Sequence, residues 1–499
     1  MNPNYLLAID QGTSGTKSIL VDKAGKICAK ATEALQTNYL PSGWVEQDPL
    51  EILENVRKSV QACLNDFVAK NGFQPNVISC GISNQRETFL LWDQAGKPLC
   101  PAIVWQCKRS IGVCTKLQER GLAAKIKSKT GLLVDPYFSG TKLIWLYEND
   151  VAIKTLIDSG KAYFGTIETW LLYSLTEGEK YTTDYTNASR TLFFNLSNLD
   201  WDLELLAEFG LSNLNLPSCR PSSLRFGESD FWGTFPKPIP ISAMIGDSHA
   251  AAFGEGCFDP GTAKATMGTG SSILMNTGAE IFDSKNGMVT TICWSTKDAV
   301  QYALEGVIVT CGATIEWLKN QLGLIADSRD TEAMAMAVRD NGGVYLIPAF
   351  SGLGAPYWDM NRKASITGMT FATTKNHIVR AALESIPYQI KDVIEAMEQD
   401  SGLALERLMI DGGTSSNQFV VRFLADLLQK PVVNIGVADV SALGAALLAG
   451  LEVGVFPSIE HLKNLNPDIK IQEPANDPDI RDWHRQWKQN IGEQSNNRP

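Results

Sequence analysis

Two polar, glycine-rich turns, one in each half of the chain, each join a pair of apolar segments. In the first half, residues 5–9 (YLLAI) predict a buried strand and residues 18–21 (SILV) predict the next one. The turn between them, residues 10–16 (DQGTSGT), has glycines that permit close backbone approach, hydroxyls that donate to phosphate oxygens and a carboxylate that can hold a metal. Because this turn joins strand to strand, it differs from the phosphate loops that join a strand to a helix.

A similar unit lies in the second half. Residues 262–267 predict a strand, residues 268–272 (GTGSS) form the turn, and residues 273–275 are apolar again. Either turn alone is typical of an ordinary hairpin. The pair favours a duplicated α/β fold that binds a nucleotide between its two halves.

A third turn, residues 408–417 (LMIDGGTSSN), begins with an apolar strand and leads into residues 419–428, whose apolar positions have helical spacing. Backbone amides at the start of a helix suit a phosphate or a ribose. Further on, residues 441–450 (SALGAALLAG) predict a helix of small residues, which either packs closely against this turn or belongs to the core.

The length of 499 residues exceeds what one hydrophobic core usually supports, so we expect two domains, residues 1–250 and 251–499. The net charge of −11 argues against a nucleic-acid-binding face. The N-terminus has no signal-peptide pattern and no run approaches the ~18 apolar residues of a membrane span, so we expect a cytoplasmic protein without membrane contact. The ten cysteines include no Cys-x-x-Cys pair, which predicts reduced thiols.

Two aspartates are candidates for chemistry on a phosphate. Asp247 follows the apolar residues 241–245 and precedes small residues, where a carboxylate is either a general base or a helix N-cap. Asp10 is either a turn carboxylate or a ligand of a magnesium–nucleotide complex through water. Arg86 and Glu87 either offer a hydrogen-bond donor and an acceptor, side by side, to the hydroxyl groups of a substrate, or form a solvated surface pair.

Longer blocks of sequence carry a resemblance to a known family. They are WVEQDP from residue 44, NQRET from 84, IVWQC from 103, DPYFSGTK from 135, TDYTNASRT from 183, YALEG from 302 and PAFSGLGAPYWD from 348. Together with the three turns, these blocks resemble the FGGY carbohydrate kinases, and most of all their glycerol kinase branch, within the superfamily of sugar kinases, actin and heat-shock protein 70. The resemblance runs from about residue 5 to about residue 460. It implies two actin-like (ribonuclease H-like) α/β domains around a cleft that closes on ATP and substrate.

The resemblance also implies an activity, which is ATP-dependent phosphorylation of glycerol to glycerol 3-phosphate with Asp247 as the general base. It places Arg86, Glu87, Trp105 and Tyr137 around the glycerol, although a tryptophan or tyrosine taken alone is more often part of a core. Asp10 and Asp247 would hold Mg²⁺ through water. A homo-oligomer, either a dimer or a tetramer, is implied as well. The implied ATP site consists of Asp10, Gly12, Thr13, Ser14, Lys17, Gly268, Thr269, Gly270, Gly312, Gly412, Gly413, Thr414 and Asn417.

Three positions depart from the pattern of glycerol kinases. Ser248 replaces the usual glutamine after the catalytic aspartate, and Ser272 replaces an aromatic residue after the second turn. If both face the ligand as substrate-binding residues, the pocket is larger and more polar than usual. Lys17 replaces an arginine, which keeps the charge and loses the fork-shaped donor pair.

These departures leave alternative functions open. One is an FGGY kinase that acts on a tetritol, a pentitol or a xylulose-like sugar. Another is an ATP-driven clamp of the actin or heat-shock type. A clamp would need a peptide-binding appendage, and we expect none after residue 460.

Overall fold

The computed structural model describes residues 3–465, 469–475 and 477–495, and two large mixed β-sheets organise them. The strands of the first half are β1 Asn4–Gln11, β2 Gly15–Val21, β3 Ile27–Ala34, β4 Asn38–Leu40, β5 Trp44–Gln47, β6 Asn76–Asn84, β7 Phe89–Trp92, β8 Ala102–Ile103, β9 Tyr163–Thr166, β10 Thr182–Asp184, β11 Phe194–Asn195, β12 Asp200–Trp201, β13 Ser218–Arg220, β14 Ser223–Ser229 and β15 Ile239–Gly246. Those of the second half are β16 Thr262–Met267, β17 Ser271–Gly278, β18 Val289–Ser295, β19 Val300–Ile308, β20 Tyr345–Ile347, β21 Ser365–Thr367, β22 Arg407–Asp411, β23 Val432–Asn434 and β24 Lys470–Gln472.

Helices cover and connect these sheets. The helices are α1 Pro49–Asn71, α2 Ile111–Glu119, α3 Ala123–Thr130, α4 Ser139–Asn149, α5 Val151–Asp158, α6 Ile167–Leu175, α7 Tyr185–Ala188, α8 Leu203–Glu208, α9 Asp247–Gly254, α10 Ala313–Asn320, α11 Asp330–Met336, α12 Lys375–Ser401, α13 Gln418–Leu428, α14 Val440–Glu452, α15 Ile459–Leu462 and α16 Pro478–Ser495. Within the part of the chain that the structure describes, Pro41–Gly43 and Gly413–Ser416 are 3₁₀ turns. Among the described residues, no helix is both long and apolar enough to cross a bilayer.

The two large sheets repeat one topology, which confirms the predicted α/β class. In the first sheet the strand order is β14-β15-β6-β1-β2-β3, with β1, β6 and β15 parallel and β1-β2-β3 antiparallel. In the second sheet the order is β18-β19-β17-β16-β22-β23-β24, with β16, β22 and β23 parallel and β16-β17-β19 antiparallel. Each sheet therefore combines an antiparallel meander with two added parallel strands, as a duplicated unit would. A five-stranded sheet, β4-β5-β8-β7-β9, extends the first half.

The predicted hairpins are confirmed, and the first turn is shorter than expected. Strand β1 continues through Gln11 and β2 starts at Gly15, because the antiparallel pairing extends to Gln11 opposite Thr16. In the second unit, β16 covers residues 262–267 as predicted, and β17 begins at Ser271. The third turn contains the 3₁₀ segment Gly413–Ser416 before α13 begins at Gln418.

Helices α9 and α14 lie together in a core that includes residues of both large sheets. Helix α14 packs on α9 and on β1, β6 and β15, although it belongs to the second half of the sequence. Glycines make this close approach possible, because a Cβ at Gly444 would lie 1.9 Å from the carbonyl oxygen of Ala250, and one at Gly81 would lie 2.2 Å from that of Ala445. The small-residue helix therefore packs against α9 and the first sheet and belongs to the core, which is one of the two roles that its sequence allowed. A division at residue 250 falls inside α9.

We expect Gly444→Ala to lower the thermal stability of the protein. The added methyl group has no room and must push α14 away from α9, which costs about 1–3 kcal/mol or more for an overpacked core. The measurement is the midpoint of thermal unfolding followed by circular dichroism. The matched control is Gly112→Ala in α2, where a Cβ meets nothing within 4 Å. There the better helix propensity of alanine should leave the midpoint unchanged or raise it slightly. A Gly444→Ala midpoint equal to that of the parent would contradict the close packing.

Candidate active site

Three parallel strands end at the same edge of the first sheet and carry polar residues there. The pairing register aligns Gln11 of β1 with Asn84 of β6, and Asn84 with Gly246 of β15. Asp10 and Asp247 therefore come close to each other at this edge, although 236 positions of sequence separate them, and Arg86 follows β6 by two residues. Carboxyl ends of parallel strands are where ligands of α/β proteins usually bind.

Asp247 is the first residue of α9 and directly follows β15 at this edge. Its carboxylate Oδ1 lies 3.3 Å from Nε of Arg86 and accepts a hydrogen bond from the Ser248 N–H at 2.6 Å. The side chain keeps 39% of its surface exposed. Burial of the carboxylate and the negative charge of Asp10 raise its pKa, and Arg86 opposes them. The N-cap of α9 is Gly246, so Asp247 is not the helix cap that its sequence position also allowed.

Arg86 belongs to a buried network of charges that links the two halves of the chain. Its Nη1 lies 2.8 Å from Oε1 of Glu305 in β19, and Nη2 of Arg190 lies 2.7 Å from Oε2 of the same carboxylate. Arg190 Nε also donates to Oε1 of Glu87 at 2.6 Å. All four side chains are at most 5% exposed, so the surface-pair alternative for Arg86 and Glu87 is wrong. The network alternates positive and negative charges and ends at Asp247.

The pKa values in this network follow from burial and charge pairing. Burial alone would raise the pKa of Glu305, but Arg190 and Arg86 outweigh it and hold the pKa below its ordinary value. Burial raises the pKa of Glu87, and the two arginines only partly offset that effect. Glu305 is thus a fixed anion between two guanidinium groups.

Glu305 and Arg190 were missed as site residues by the sequence analysis. Both lie in blocks that carried the family resemblance, YALEG and TDYTNASRT. The available signal for Glu305 was a carboxylate in the middle of an apolar strand, since such a residue needs a buried partner. The sequence did not reveal which cation would be that partner.

Trp105 and Tyr137 form an aromatic corner near this network. Their ring centroids are 5.5 Å apart in an edge-on arrangement, and the guanidinium of Arg190 lies 6.0 Å from the Tyr137 ring. The indole Nε1 of Trp105 donates to Oγ1 of Thr13 at 2.9 Å. Both rings are only partly buried, so they have surface left for a ligand. Thr13 of the first turn therefore contacts Trp105, one of the residues that were predicted to line the substrate site.

Ser248 and Ser272 bond to each other across the two halves. Their hydroxyl oxygens are 3.1 Å apart, and the Ser272 hydroxyl donates to Oε1 of Glu305 at 3.0 Å. Contacts therefore close a ring from Asp247 through Arg86, Glu305 and Ser272 to Ser248. The two serines lie beside the charged network, as expected for residues near the substrate. That they face a ligand stays a prediction.

The remaining residues of the first turn have clear partners. The N–H of Gly12 donates to the carbonyl of Gly15 at 2.9 Å, which closes the turn. Ser83 donates to Oδ1 of Asp10 at 2.8 Å, while burial raises the pKa of Asp10 and Lys17 opposes that shift. Lys17 forms an ion pair at 2.6 Å with Asp439, the residue directly before α14. Ser14 is exposed to solvent.

The second and third turns meet at the edge of the second sheet. Thr266 at the end of β16 aligns with Asp411 at the end of β22, so Gly268, Thr269 and Gly270 lie close to Gly412. The N–H of Gly312 donates to the Gly268 carbonyl at 2.9 Å, and a Cβ on Gly312 would lie 3.1 Å from Oγ1 of Thr414. Six predicted nucleotide residues are thus assembled here: Gly268, Thr269, Gly270, Gly312, Gly412 and Thr414.

Gly413 and Asn417 have different surroundings within the third turn. A Cβ on Gly413 would meet nothing within 4 Å, so this residue borders open space. The Asn417 side chain accepts from the Val420 N–H at 3.2 Å and donates to Thr331 at 3.1 Å. Asn417 thus caps α13, and its amide group already has protein partners.

A divalent cation would meet two carboxylates at the first-sheet edge. Within residues 3–465, 469–475 and 477–495, no group of three or more His, Cys, Asp or Glu side chains is arranged to hold a metal. The negative charges of Asp10 and Asp247 repel each other, because the charge of Asp10 raises the pKa of Asp247. A cation relieves such repulsion, and oxygen ligands suit Mg²⁺ when water and phosphate supply the rest. The residues fit a water-bridged Mg²⁺.

Comparisons with known proteins agree with this arrangement. The description of the FGGY family of carbohydrate kinases fits the chain in two parts, its N-terminal domain over residues 5–254 and its C-terminal domain over residues 263–453. Glycerol kinase of Carboxydothermus hydrogenoformans is 44% identical over 494 residues, and that of Brevibacillus brevis is 46% identical over 498 residues. Each alignment covers 98% of both chains.

Solved structures share the fold as well. The crystal structure of Plasmodium falciparum glycerol kinase with ADP has a TM-score of 0.94 and 35% identity, and the match covers 100% of this chain and 99% of that one. Gluconate kinase from Lactobacillus acidophilus has a TM-score of 0.89 at 20% identity, with 99% of each chain covered. The two-domain actin-like architecture is therefore confirmed. With both family domains present and relatives above 40% identity over nearly the whole length, the chain belongs to the FGGY family of carbohydrate kinases.

Proposed function

We propose that this kinase transfers the terminal phosphate of ATP to glycerol and forms glycerol 3-phosphate. The observation that carries the proposal is the Asp247 carboxylate, which is partly exposed at the carboxyl edge of three parallel strands and is held there by Arg86. A general base needs this combination of fixed orientation and access to the substrate. The curated relatives with 44–46% identity are named glycerol kinase, which supports glycerol as the acceptor.

The proposed polyol site consists of the buried charges and the aromatic corner. Arg86 can donate to hydroxyl oxygens and Glu87 can accept from hydroxyl groups, because both side chains are fixed by ion pairs. Trp105 and Tyr137 offer an apolar surface to the carbon chain. Ser248 and Ser272 add hydroxyls beside Asp247, and we assign them to the substrate site as well.

The proposed chemistry is an in-line transfer in which Asp247 accepts a proton. Among the residues that the structure describes, both partners of the Asp247 carboxylate bind Oδ1, which leaves Oδ2 for the substrate hydroxyl. The glycerol oxygen forms a bond to the γ-phosphorus, the bond from that phosphorus to the β–γ bridging oxygen breaks, and ADP leaves. The raised pKa of Asp247 brings its basicity closer to that needed to accept the hydroxyl proton.

The proposed nucleotide site combines the turns of both halves. On the second sheet it includes Gly268, Thr269, Gly270, Gly312, Gly412, Gly413, Thr414 and Asn417, and on the first sheet Asp10, Gly12, Thr13, Ser14 and Lys17. Backbone amides in the glycine turns are suitable partners for phosphate oxygens. Asp10 and Asp247 would hold Mg²⁺ through water, and a bound Mg²⁺ offsets negative charge on the phosphates.

We further propose that the protein is a cytoplasmic homo-oligomer, a dimer or a tetramer. Apolar side chains are exposed along one segment, with Trp358 38%, Met360 55%, Met369 57% and Phe371 fully exposed. Exposed apolar groups of this kind are typical of surfaces that bind another protein. All ten cysteines are free thiols, which fits a reducing compartment such as the cytoplasm.

Light scattering after size-exclusion chromatography tests the proposed oligomer. Phe371→Lys should weaken the association of the subunits, and a monomeric parent protein would contradict the proposal.

Replacing the proposed base should nearly abolish turnover. We expect Asp247→Asn to lower kcat by about 10²–10⁴-fold, because the amide cannot accept the hydroxyl proton. The measurement is a coupled assay of ADP release with glycerol and Mg-ATP, after circular dichroism has shown that the variant is folded. Asp283→Asn, which changes a carboxylate that is 71% exposed, is the matched control and should keep the parental rate. Parental turnover by a folded Asp247→Asn variant would remove the assignment.

A substrate panel separates glycerol from longer acceptors. We expect the highest kcat/KM with glycerol and much lower values with erythritol, xylitol and xylulose in the same assay. The physical reason is that Ser272 donates to Glu305 and the two serine hydroxyls bond to each other, so neither has a free hydrogen to donate to the added hydroxyls of a longer chain. A higher kcat/KM for a tetritol or pentitol than for glycerol would show that the space left by these serines admits a larger substrate.

A further inference from the structure

Lys142 is a fully buried lysine whose ammonium group contacts three consecutive carbonyl groups. It lies in the first turn of α4 and has no exposed surface. Its Nζ donates to the carbonyl oxygens of Pro136 at 2.7 Å, Tyr137 at 2.7 Å and Phe138 at 3.0 Å. An ammonium has three N–H donors, so these contacts use all of them.

The position is unfavourable for a positive charge. The beginning of a helix carries the positive end of its dipole, and burial removes the charge from water. Burial lowers the pKa of Lys142 to about 7, although Glu87 and Asp135 oppose that shift. A methionine would fill similar space without this cost. The three carbonyl contacts are therefore what a lysine adds at this position.

These contacts fix the backbone that carries Tyr137. The N–H of Tyr137 also donates to Oδ1 of Asp135 at 2.8 Å, so this segment is held on both sides of the peptide chain. The Tyr137 ring lies edge-on to Trp105. In the same turn of α4, the Ser139 hydroxyl donates to the carbonyl of Glu87 at 2.8 Å. The start of α4 is thus the support behind two residues of the proposed polyol site.

We propose that Lys142 is a positioning residue that sets polyol affinity by holding the backbone of residues 136–138 beneath the Tyr137 ring. This inference rests on the proposed function, since it takes Tyr137 as a wall of the polyol site. Lys142 itself does not touch the substrate. Its loss lets the ring move, which weakens binding without removing the base Asp247. Small displacements of this kind have large effects on a fitted site.

The contact depends on the protonation of Lys142. A neutral amine has two N–H groups and a lone pair, so one of the three carbonyl oxygens must then face the lone pair. The ammonium form prevails below a pH of about 7 and the amine above it. The titratable groups that face Lys142 from the surrounding elements are Glu87, Asp135, Cys107 and Cys114. Polyol affinity should consequently weaken as the pH rises through neutrality, while Mg-ATP affinity should not follow.

The main test is Lys142→Met, examined alone and together with Tyr137→Ala. We expect Lys142→Met to raise the KM for glycerol about tenfold, with kcat changed by less than about threefold. In the Tyr137→Ala background the same change should have little further effect, because Lys142 acts through that ring. Lys116→Met in α2 is the matched control; that lysine is 62% exposed, pairs with Glu148 of α4 and should leave KM unchanged.

The pH dependence gives a second test that does not need a Lys142 variant. Glycerol affinity of the parent and of Tyr137→Ala is measured from pH 6 to 9 by intrinsic tryptophan fluorescence. Weakening above neutrality in the parent, and its absence in Tyr137→Ala, supports the proposal even if Lys142→Met does not fold.

Each contrary result has a distinct meaning. A parental KM in folded Lys142→Met, an equal KM increase in both backgrounds, or a pH-independent parent affinity would overturn the role of Lys142. A parent enzyme that phosphorylates no polyol would instead overturn the proposed function.

Discussion

The site depends on one buried carboxylate, Glu305, which lies between two guanidinium groups. Arg86 and Arg190 come from the first half of the chain and Glu305 comes from the second, so the ion pairs form only when the halves are in contact. Burying the three charges of Arg86, Arg190 and Glu305 away from water costs free energy, and only a complete network of ion pairs offsets that cost. Breaking one member of such a pair typically costs about 3–5 kcal/mol, because the remaining charge stays buried without a partner. The network therefore couples the position of Arg86, and with it Asp247, to the contact between the two halves.

The packing of α9 explains how that contact is maintained close to Asp247. Asp247 begins the helix, and Gly254 at its end lies against α14, where a Cβ would be 2.6 Å from the carbonyl of Val440. Helix α14 in turn packs on the first sheet although it lies between β23 and β24 of the second sheet in sequence. Because small residues line the contact between the two helices, their backbones approach closely. The proposed base thus begins a helix that packs closely against α14 of the second half.

Local sequence patterns predicted what lies at strand ends, and they could not predict which distant residues would pair. Asp10 and Asp247 were identifiable because each follows an apolar strand, and the glycine turns were identifiable from their composition. The partner of Lys17 could not be identified from the sequence, since Asp439 is more than 400 positions away and nothing near either residue marks the pair. Glu305, a carboxylate inside an apolar strand, did signal a buried partner, but its partners Arg86 and Arg190 are more than 100 positions away and the sequence did not identify them. The role of residues 441–450 was open because a small-residue helix fits any close neighbour, and only the contacts in the folded chain show which neighbours it has.

The proposed nucleotide and polyol sites share a physical connection through Thr13. This residue lies in the first glycine turn, and its hydroxyl accepts a hydrogen bond from Trp105 while lying 3.3 Å from the side-chain oxygen of Gln85. Gln47 donates to the Thr13 carbonyl at 2.8 Å, which holds the turn against the five-stranded sheet. A phosphate group that moves this turn must therefore also move, or strain, the contact with the tryptophan ring. Since Trp105 packs on Tyr137, whose backbone Lys142 contacts, the proposed acceptor wall and the proposed phosphate turn are linked by direct contacts.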